Sequence, residues 1–385
     1  MIKHSLYALG GVLLFAACTD KANAPTATAT VSASVGRDRN DDRDDDDAFS
    51  FIVVGCNRVD TPDTNKAVNP STANLEQLNR TFREVAAMRP RPKFIFLAGD
   101  LVFGYTNSQA ELEAQLVAWR AVYEASPLYG TGVKMVPIPG NHEVQNKAKV
   151  ATAAAEATWL KVMGPYIAPF GGNGPKAGGA DGLSSDQSSL SYSFDYQGSH
   201  FLLLDSDPAG RDWSLPTKWV AQDLATARAR HARHIFAIAH KPAYGYPAAQ
   251  YSPALPVPDD LGKVLPALRD EFWHTMVDNN ADAMFAAHDH LYSRAKGPFG
   301  DTWQIIAGNG GSRIEKVVNQ ASINYFGYTK VTVSENRAVV RSFGRDIPTA
   351  GYLTSSAAYP TTIRDEADIS TRRRGDERRD EHDDR

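Results

Sequence analysis

Five short apolar runs in this chain each stop at residues that can bind a metal ion or transfer a proton. Short apolar runs bounded by turn residues are typical of strands that are buried on both faces of a sheet. Residues that follow such strands gather along one edge of an α/β sheet, and binding sites form there. The pattern therefore predicts one cluster of Asp, Asn and His, which is a metal site suited to hydrolysis. The runs and the residues that end them are 51–54 before Gly55, Cys56 and Asn57; 94–98 before Gly99 and Asp100; 135–139 before Gly140, Asn141, His142 and Glu143; 235–239 before His240; and 283–287 before His288, Asp289 and His290.

The overall composition is that of an ordinary globular protein. Of the 385 residues, 42% are hydrophobic and 22% are charged, and the formal net charge is −4. Proteins that bind nucleic acid usually carry a basic patch or a strongly basic domain. We therefore expect no specific nucleic-acid binding.

The N-terminal segment 1–18 is predicted to be a signal peptide. A short basic start precedes an apolar run at 6–17 that is too short to span a bilayer. Two alanines come directly before Cys18, which resembles a bacterial lipoprotein signal in which the cysteine becomes lipidated. That resemblance implies an exported bacterial protein, lipid-anchored to a membrane at the periplasm or cell surface. The alternative is an ordinary cleaved signal in which Cys18 has no role.

Two polar segments flank the predicted domain at 49–348. Segment 19–48 has almost no large apolar residues and is rich in Asp and Arg, so we predict a disordered acidic linker. Such a segment cannot bury enough apolar surface to offset the entropy of the chain. Segment 349–385 is predicted to be a mostly disordered charged tail. If Cys18 carries lipid, Cys56 is a lone thiol, because the chain has 2 cysteines.

Within 49–348, helical and strand patterns alternate, and a strand-rich part follows. Apolar residues at helical spacing predict helices at 75–88, 110–125, 217–232 and 265–279. Alternating patterns predict late strands at 302–307, 328–333 and 338–343. This order indicates two packed sheets flanked by helices in one domain. The polar, glycine-rich stretch 171–190 interrupts the order, and it either lines a substrate cleft or decorates the surface.

The residues at the strand ends have the chemistry of a metal centre. A glycine lets the backbone turn tightly before Asp100, whose two carboxylate oxygens can bridge two cations. Asn141 offers a neutral carbonyl oxygen to a metal. His142 comes next to Asn141 and can donate a proton or steady developing charge without binding a metal. His288 and His290 project from the same side of an extended segment, because strand residues alternate.

The order of these motifs resembles the calcineurin-like metallophosphoesterases, and it is nearest to their purple-acid-phosphatase-like branch. The similarity covers roughly residues 50–345. The motifs that match the family are Gly99-Asp100, Gly140-Asn141-His142-Glu143, His240-Lys241-Pro242 and His288-Asp289-His290. The resemblance implies a four-layer αββα sandwich of two packed mixed sheets. It also implies hydrolysis of phosphomonoesters or phosphodiesters by metal ions, expected to be two divalent or trivalent ions of zinc, iron or manganese.

The resemblance also implies a role for each matching residue. Asp100 would bridge the two metals, and His290 would hold the first. The second metal would be held by Asn141, His240 and His288. His142 would act as an acid or charge stabiliser while a hydroxide between the metals attacks phosphorus.

The first motif departs from the family pattern. The family usually places an Asp after the first strand and often a His two residues later, and here those places hold Cys56 and Arg58. Three interpretations follow: Cys56 replaces the Asp as a ligand, the first metal is weak or absent, or Arg58 supplies a fixed positive charge for the substrate phosphate. Phe103 stands where purple acid phosphatases carry a Tyr, so a purple iron centre is not expected.

A second functional hypothesis comes from a different class. The chain could be a non-catalytic lipoprotein that binds a metal ion or phosphate through a degenerate site. The incomplete first motif favours it, and the intact motif around His142 opposes it, because a binding protein has little use for this side chain. A Ser-His-Asp hydrolase is disfavoured, because we find no Gly-X-Ser-X-Gly elbow before a helix.

Overall fold

The five apolar runs all form strands in the computed structural model of the protein. The structure describes residues 48–59, 72–246, 260–314, 324–347 and 359–371, all within one compact unit. Cys18, the predicted signal, nearly all of the linker and the end of the predicted tail lie outside these residues. Among the described residues, no helix has both the length and the apolar character needed to cross a membrane.

The described strands form two mixed sheets of six strands each. The first sheet has the order β12-β11-β10-β1-β2-β3 and the second β4-β5-β6-β7-β9-β8. In the first sheet β1, β2 and β3 run parallel, with β3 at the edge, and β10, β11 and β12 continue the sheet with antiparallel pairings. In the second sheet β5, β6, β7 and β9 form a parallel centre that is flanked by the antiparallel strands β4 and β8. The strands are β1 Phe49–Val54, β2 Phe94–Ala98, β3 Lys134–Ile138, β4 Tyr192–Tyr196, β5 Ser199–Leu204, β6 His234–Ala239, β7 Ala283–Ala286, β8 Tyr292–Lys296, β9 Trp303–Ala307, β10 Phe326–Val333, β11 Ala338–Arg345 and β12 Thr362–Asp368.

Aromatic side chains fill the space between the two sheets. The ring of Phe51 on β1 lies 5.5 Å from that of Phe96 on β2 in the same sheet. It also lies 5.3 Å from Phe201, 5.2 Å from Phe236 and 5.8 Å from Phe285 in the other sheet. Edge-to-face pairs at these distances add to the free energy gained by burying the rings. The two sheets are therefore held face to face by one continuous core.

Helices cover the outer faces, which explains why the central strands are apolar on both sides. Along β5, Leu203 faces the sheet interface, whereas Leu202 and Leu204 pack in a second cluster with residues of α5 and α6. Asn74, Ser108 and Thr152 cap α1, α2 and α4 by accepting hydrogen bonds from backbone N–H groups in the first turn. The helices are α1 Leu75–Ala87, α2 Gln109–Glu124, α3 Asn141–Val144, α4 Ala153–Ile167, α5 Thr217–Ala229 and α6 Pro266–Asp278. The four-layer αββα sandwich predicted from the sequence is confirmed.

Strand β12 was not expected, because it lies within the segment 349–385 predicted to be a mostly disordered tail. That prediction is wrong for 359–371. The strand is exposed and rich in acids, so its own pattern gives no sign of burial. It pairs with β11, and its acidic side chains form ion pairs with Arg294, Arg337 and Arg341. These partners are distant in sequence, so only the folded sheet reveals them.

The insertion 171–190 packs against the domain through its own polar groups. The carboxylate of Asp181 accepts hydrogen bonds from the backbone N–H groups of Lys218 and Trp219 at the start of α5. A carboxylate at this end of a helix also stabilises the helix dipole. The hydroxyl of Ser184 donates to the carbonyl of Ala209. The insertion thus supports the loop that precedes α5.

A buried histidine on β5 predicts a pH dependence of stability. Nδ1 of His200 lies 2.6 Å from the carboxylate of Asp195, and Nε2 lies 2.7 Å from that of Asp223. Burial lowers the pKa of His200, but the two carboxylates raise it by more, so the pKa is raised overall. The stabilisation is fully present below the unfolded pKa of about 6.5 and is lost as pH rises through the folded pKa.

We therefore expect the free energy of unfolding to fall from about pH 6 upward by an amount that His200→Gln removes. Urea unfolding of both proteins across a pH series measures this difference. Parallel pH profiles for the two proteins would contradict the assignment.

Candidate metal centre

Left-handed backbone turns bring the strand-end side chains to one place. Cys56, Asp100 and His288 have φ values of 54°, 55° and 65°, and Gly99 has 79°. A Cβ atom on Gly99 would lie 2.6 Å from Nδ1 of His240, so only glycine fits there. Because β1, β2 and β3 end at the same edge as β6 and β7, the residues that follow these strands share one buried pocket. The structure brings together Cys56, Arg58, Asp100, Asn141, His142, His240, His288 and His290.

Two groups of potential ligand atoms share Asp100. In each group the atoms lie within 4.8 Å of one another. We call Cys56, Asp100 and His290 the first metal position. The second metal position consists of Asp100, His240 and His288, together with Asn141, which contacts both histidines.

The second metal position has four acceptor atoms that face one another. Nε2 of His240 lies 3.1 Å from Oδ1 of Asp100 and 2.9 Å from Oδ1 of Asn141. Nδ1 of His288 lies 3.0 Å from the same Asn141 oxygen and 3.2 Å from His240 Nε2. His240 Nδ1 donates to the carbonyl of Ala98 at 2.8 Å, so in the neutral ring Nε2 carries a lone pair.

This arrangement fits a bound cation. Burial lowers the pKa of His240, but the Asp100 carboxylate raises it by more, so the pKa is raised overall. The pocket therefore favours positive charge at this point. Two imidazoles, a carboxylate and an amide oxygen form a donor set suited to zinc, iron or manganese.

The first metal position contains a guanidinium group. Nε of Arg58 donates to Oδ2 of Asp100 at 3.0 Å, and Nη2 lies 3.4 Å from Nε2 of His290. The other ring nitrogen of His290 donates to the carbonyl of Arg313 at 2.8 Å. Burial and then the charge of Arg58 lower the pKa of His290 to about 3. Sγ of Cys56 accepts a hydrogen bond from the backbone N–H of His288 at 3.1 Å.

His142 lies beside both positions with one ring nitrogen turned toward Asp100. Its Nε2 is 3.8 Å from Oδ2 of Asp100, and its backbone N–H donates to Oδ1 of the same carboxylate at 3.3 Å. Nδ1 donates to the carbonyl of Phe103, which fixes the tautomer. Burial lowers the pKa of His142 well below its usual value, against the opposing effect of Asp100. The pocket therefore disfavours the charged form of the ring.

Glu143 organises the loops of the site, although the sequence analysis assigned it no role. Its carboxylate accepts backbone N–H hydrogen bonds from Asp100 at 3.0 Å, Leu101 at 2.8 Å, Val102 at 3.1 Å and Gly140 at 2.8 Å. Burial raises the pKa of Glu143 to about 7, while hydrogen bonds from the backbone oppose that rise. An acid three residues after a helix N-cap commonly reaches back to the backbone, and that signal was readable in the sequence.

Glu143→Gln is expected to lower the free energy of unfolding by about 3 kcal/mol, because an amide leaves buried N–H donors unpaired. Urea unfolding measures the loss. Glu113→Gln on the surface of α2 serves as a control, because the Glu113 carboxylate pairs with the exposed side chain of Lys161. Equal stability of the two variants would contradict this role.

Tyr105 and Trp213 complete the surroundings of the site, and the sequence carried no signal for either contact. The Tyr105 hydroxyl accepts a hydrogen bond from Nδ2 of Asn141, and its ring centre lies 3.9 Å from that of His142. The Asn141 amide is thereby oriented with its oxygen toward the two histidines of the second metal position. Burial raises the pKa of Tyr105, so the hydroxyl stays protonated. The Trp213 ring packs edge-on against His288 at 5.5 Å.

Comparison with known proteins agrees with this site. The family model of the calcineurin-like phosphoesterases matches residues 51–292, more than half of the chain, and the chain belongs to this family. The matched part of the chain is a metallophosphoesterase domain, and the family uses divalent metal ions, typically two. No curated protein matches the chain in sequence.

Several solved structures share the fold at low sequence identity. They include purple acid phosphatase PPD1 from yellow lupin (Lupinus luteus) seeds, with a TM-score of 0.55, 14% identity, and coverage of 86% of this chain and 55% of that chain. PhoD has a TM-score of 0.56 and 13% identity, over 84% of this chain and 70% of its own. A dimetal phosphatase from Danio rerio has a TM-score of 0.51 and 11% identity, and the match covers 84% of this chain and 99% of the phosphatase. The chain thus spans about half the length of the lupin protein.

Proposed function

We propose that this protein hydrolyses phosphomonoesters or phosphodiesters outside the cytoplasm. The second metal position carries the proposal, because four lone-pair-bearing atoms converge there beside His142. Such a cluster is costly to bury without a cation. Membership in the calcineurin-like phosphoesterase family supports the same reaction class.

Each side chain of the pocket has a distinct part in the proposed reaction. A metal ion bound there would act as a Lewis acid: it would polarise the phosphoryl group and lower the pKa of a bound water molecule. Asp100, Asn141, His240 and His288 would hold that ion. Nε2 of His142 lies 3.8 Å from Oδ2 of the same carboxylate, so the protonated ring is placed to give a proton to a leaving oxygen or to stabilise charge on it. Arg58 attracts an oxygen of the substrate phosphate.

The proposed location of the activity rests on the N-terminal sequence. We propose that segment 1–18 directs export and that Cys18 is lipidated, which anchors the protein to a bacterial membrane at the periplasm or cell surface. The polar segment 19–48 then acts as a tether. The substrate is accordingly a small phosphoester outside the cytoplasm.

The alternative function is binding of a metal ion or phosphate without catalysis. The ion pair between Arg58 and Asp100 favours it, because it places a guanidinium where the family pattern implies a metal ligand. The fixed orientation of His142 favours the enzyme.

The deciding experiment is turnover of chromogenic esters by the full chain. p-Nitrophenyl phosphate tests the monoesterase reaction and bis-p-nitrophenyl phosphate tests the diesterase reaction, each with zinc, iron or manganese. We expect hydrolysis that a chelator abolishes and that added metal restores. Tight metal binding without turnover of either ester, across all three metals, would identify a binding protein instead.

A further inference from the structure

We infer that the guanidinium of Arg58 takes the place of the first metal ion, so that the centre works with one metal and one fixed organic cation. The inference deepens the proposed phosphoesterase function and rests on it. It concerns the number of metal ions and the role of Asp100.

The contacts of Arg58 coincide with those that a first metal would need. The guanidinium contacts Oδ2 of Asp100 at 3.0 Å and Nε2 of His290 at 3.4 Å, and these belong to two of the three residues at the first metal position. A metal ion would bind these same atoms at about 2.0–2.3 Å. It would then lie within a few ångströms of a group that remains protonated in proteins. The guanidinium and a first metal therefore exclude one another.

The backbone around Arg58 holds this arrangement in place. Its N–H donates to the carbonyl of Asp100 at 3.1 Å, and its own carbonyl accepts a hydrogen bond from the hydroxyl of Ser312 at 2.8 Å. The side chain is 11% exposed and pairs with a carboxylate that is 1% exposed. A buried charge is stabilised by such a partner, and moving the guanidinium away would leave Asp100 without it.

Asp100 divides its two oxygens between two cationic positions. Oδ1 lies 3.1 Å from His240 at the second metal position, and Oδ2 contacts Arg58. In a two-metal centre one carboxylate bridges two metal ions. Here the same geometry bridges a metal position and a guanidinium, so the second positive charge needed to bind a phosphate is built into the chain.

Cys56 then has a structural role and does not act as a metal ligand. With the Asp100 oxygen and the His290 nitrogen engaged by Arg58, one thiol remains at the first metal position. Its sulfur accepts the backbone N–H of His288, whose backbone is in the left-handed region. Cys56 therefore stabilises the turn that presents His288 to the second metal position.

The test is a metal count on the full chain, purified, stripped of metal and dialysed against excess Zn²⁺. Elemental analysis is expected to find one equivalent in the wild type. Arg58→His removes the permanent charge and adds an imidazole donor, and it is expected to bind two. Arg58→Met removes the charge without adding a donor, and it is expected to gain a weaker second equivalent. Two equivalents in the wild type, or one in both variants, would overturn the inference.

Cobalt substitution gives a second readout that does not depend on turnover. A thiolate bound to Co²⁺ produces a charge-transfer band, so we expect no such band in the wild type and its appearance in Arg58→His. Cys56→Ser is expected to keep one equivalent of metal. A thiolate band in the wild type, together with loss of metal in Cys56→Ser, would show that Cys56 is a ligand. Circular dichroism confirms that each variant is folded before its metal content is measured.

These outcomes separate this inference from the proposed function. One equivalent of metal without ester hydrolysis contradicts the function and leaves the role of Arg58 standing. Two equivalents with hydrolysis contradict the role of Arg58 and leave the function standing.

Discussion

Asp100→Ala is expected to abolish metal binding and phosphoester hydrolysis together. One oxygen of Asp100 faces His240 at the second metal position and the other pairs with Arg58, so the substitution removes a shared ligand and the carboxylate that pairs with a buried guanidinium. We expect turnover to fall by about 10³-fold or more, since losing even an outer hydrogen-bond partner of a metal ligand costs about 10–100-fold in affinity or activity. Elemental analysis and turnover of both p-nitrophenyl esters measure the effect.

The matched control for this variant is Asp301→Ala, because Asp301 is 70% exposed and pairs with Lys296 away from the site. It is expected to retain metal and turnover. Asp100→Asn separates charge from shape, because it keeps one neutral oxygen, and we expect it to bind metal more weakly than the wild type. Normal hydrolysis by Asp100→Ala would place the active site elsewhere.

His142→Ala is expected to lower kcat while metal binding is retained. The ring lies beside Asp100 but donates through Nδ1 to the carbonyl of Phe103, so its position does not depend on a bound metal. Loss of a positioned general acid or base typically costs about 10²–10⁴-fold in rate, and we expect a fall in that range. Single-turnover kinetics and elemental analysis of the same preparation distinguish this outcome from loss of metal.

A surface histidine provides the comparison for His142. His274 stacks on Phe299 outside the metal centre, so His274→Ala is expected to keep the wild-type rate. If His142→Ala lost metal as Asp100→Ala does, His142 would be a ligand and not an acid. If it kept the full rate, it would have no part in the reaction.

Much of the fold was predictable because buried strands have a strong local signature. The runs at 51–54, 94–98 and 235–239 are apolar throughout, and each forms a strand between a helical layer and the other sheet. Strand β12 was missed for the opposite reason, because its side chains are charged and its stability depends on arginines of other strands.

The candidate site was predictable in its membership but not in its internal geometry. Parallel strands that end at one sheet edge must bring the following residues together, so Asp100, Asn141, His240 and His288 could be named from their positions after apolar runs. The hydrogen bond from Asn141 to Tyr105 could not be named, because it depends on the path of the loop after Asp100.

The sequence by itself determined which residues meet, since the order of strands and strand-end motifs is written along the chain. Only the tertiary structure decided what those residues do to one another. A motif specifies Cys56 and Arg58 as neighbours of the site, but whether a guanidinium or a metal ion lies against Asp100 depends on distances of a few ångströms between side chains from separate strands. Electrostatic energy varies steeply over such distances, and no pattern along the chain encodes it.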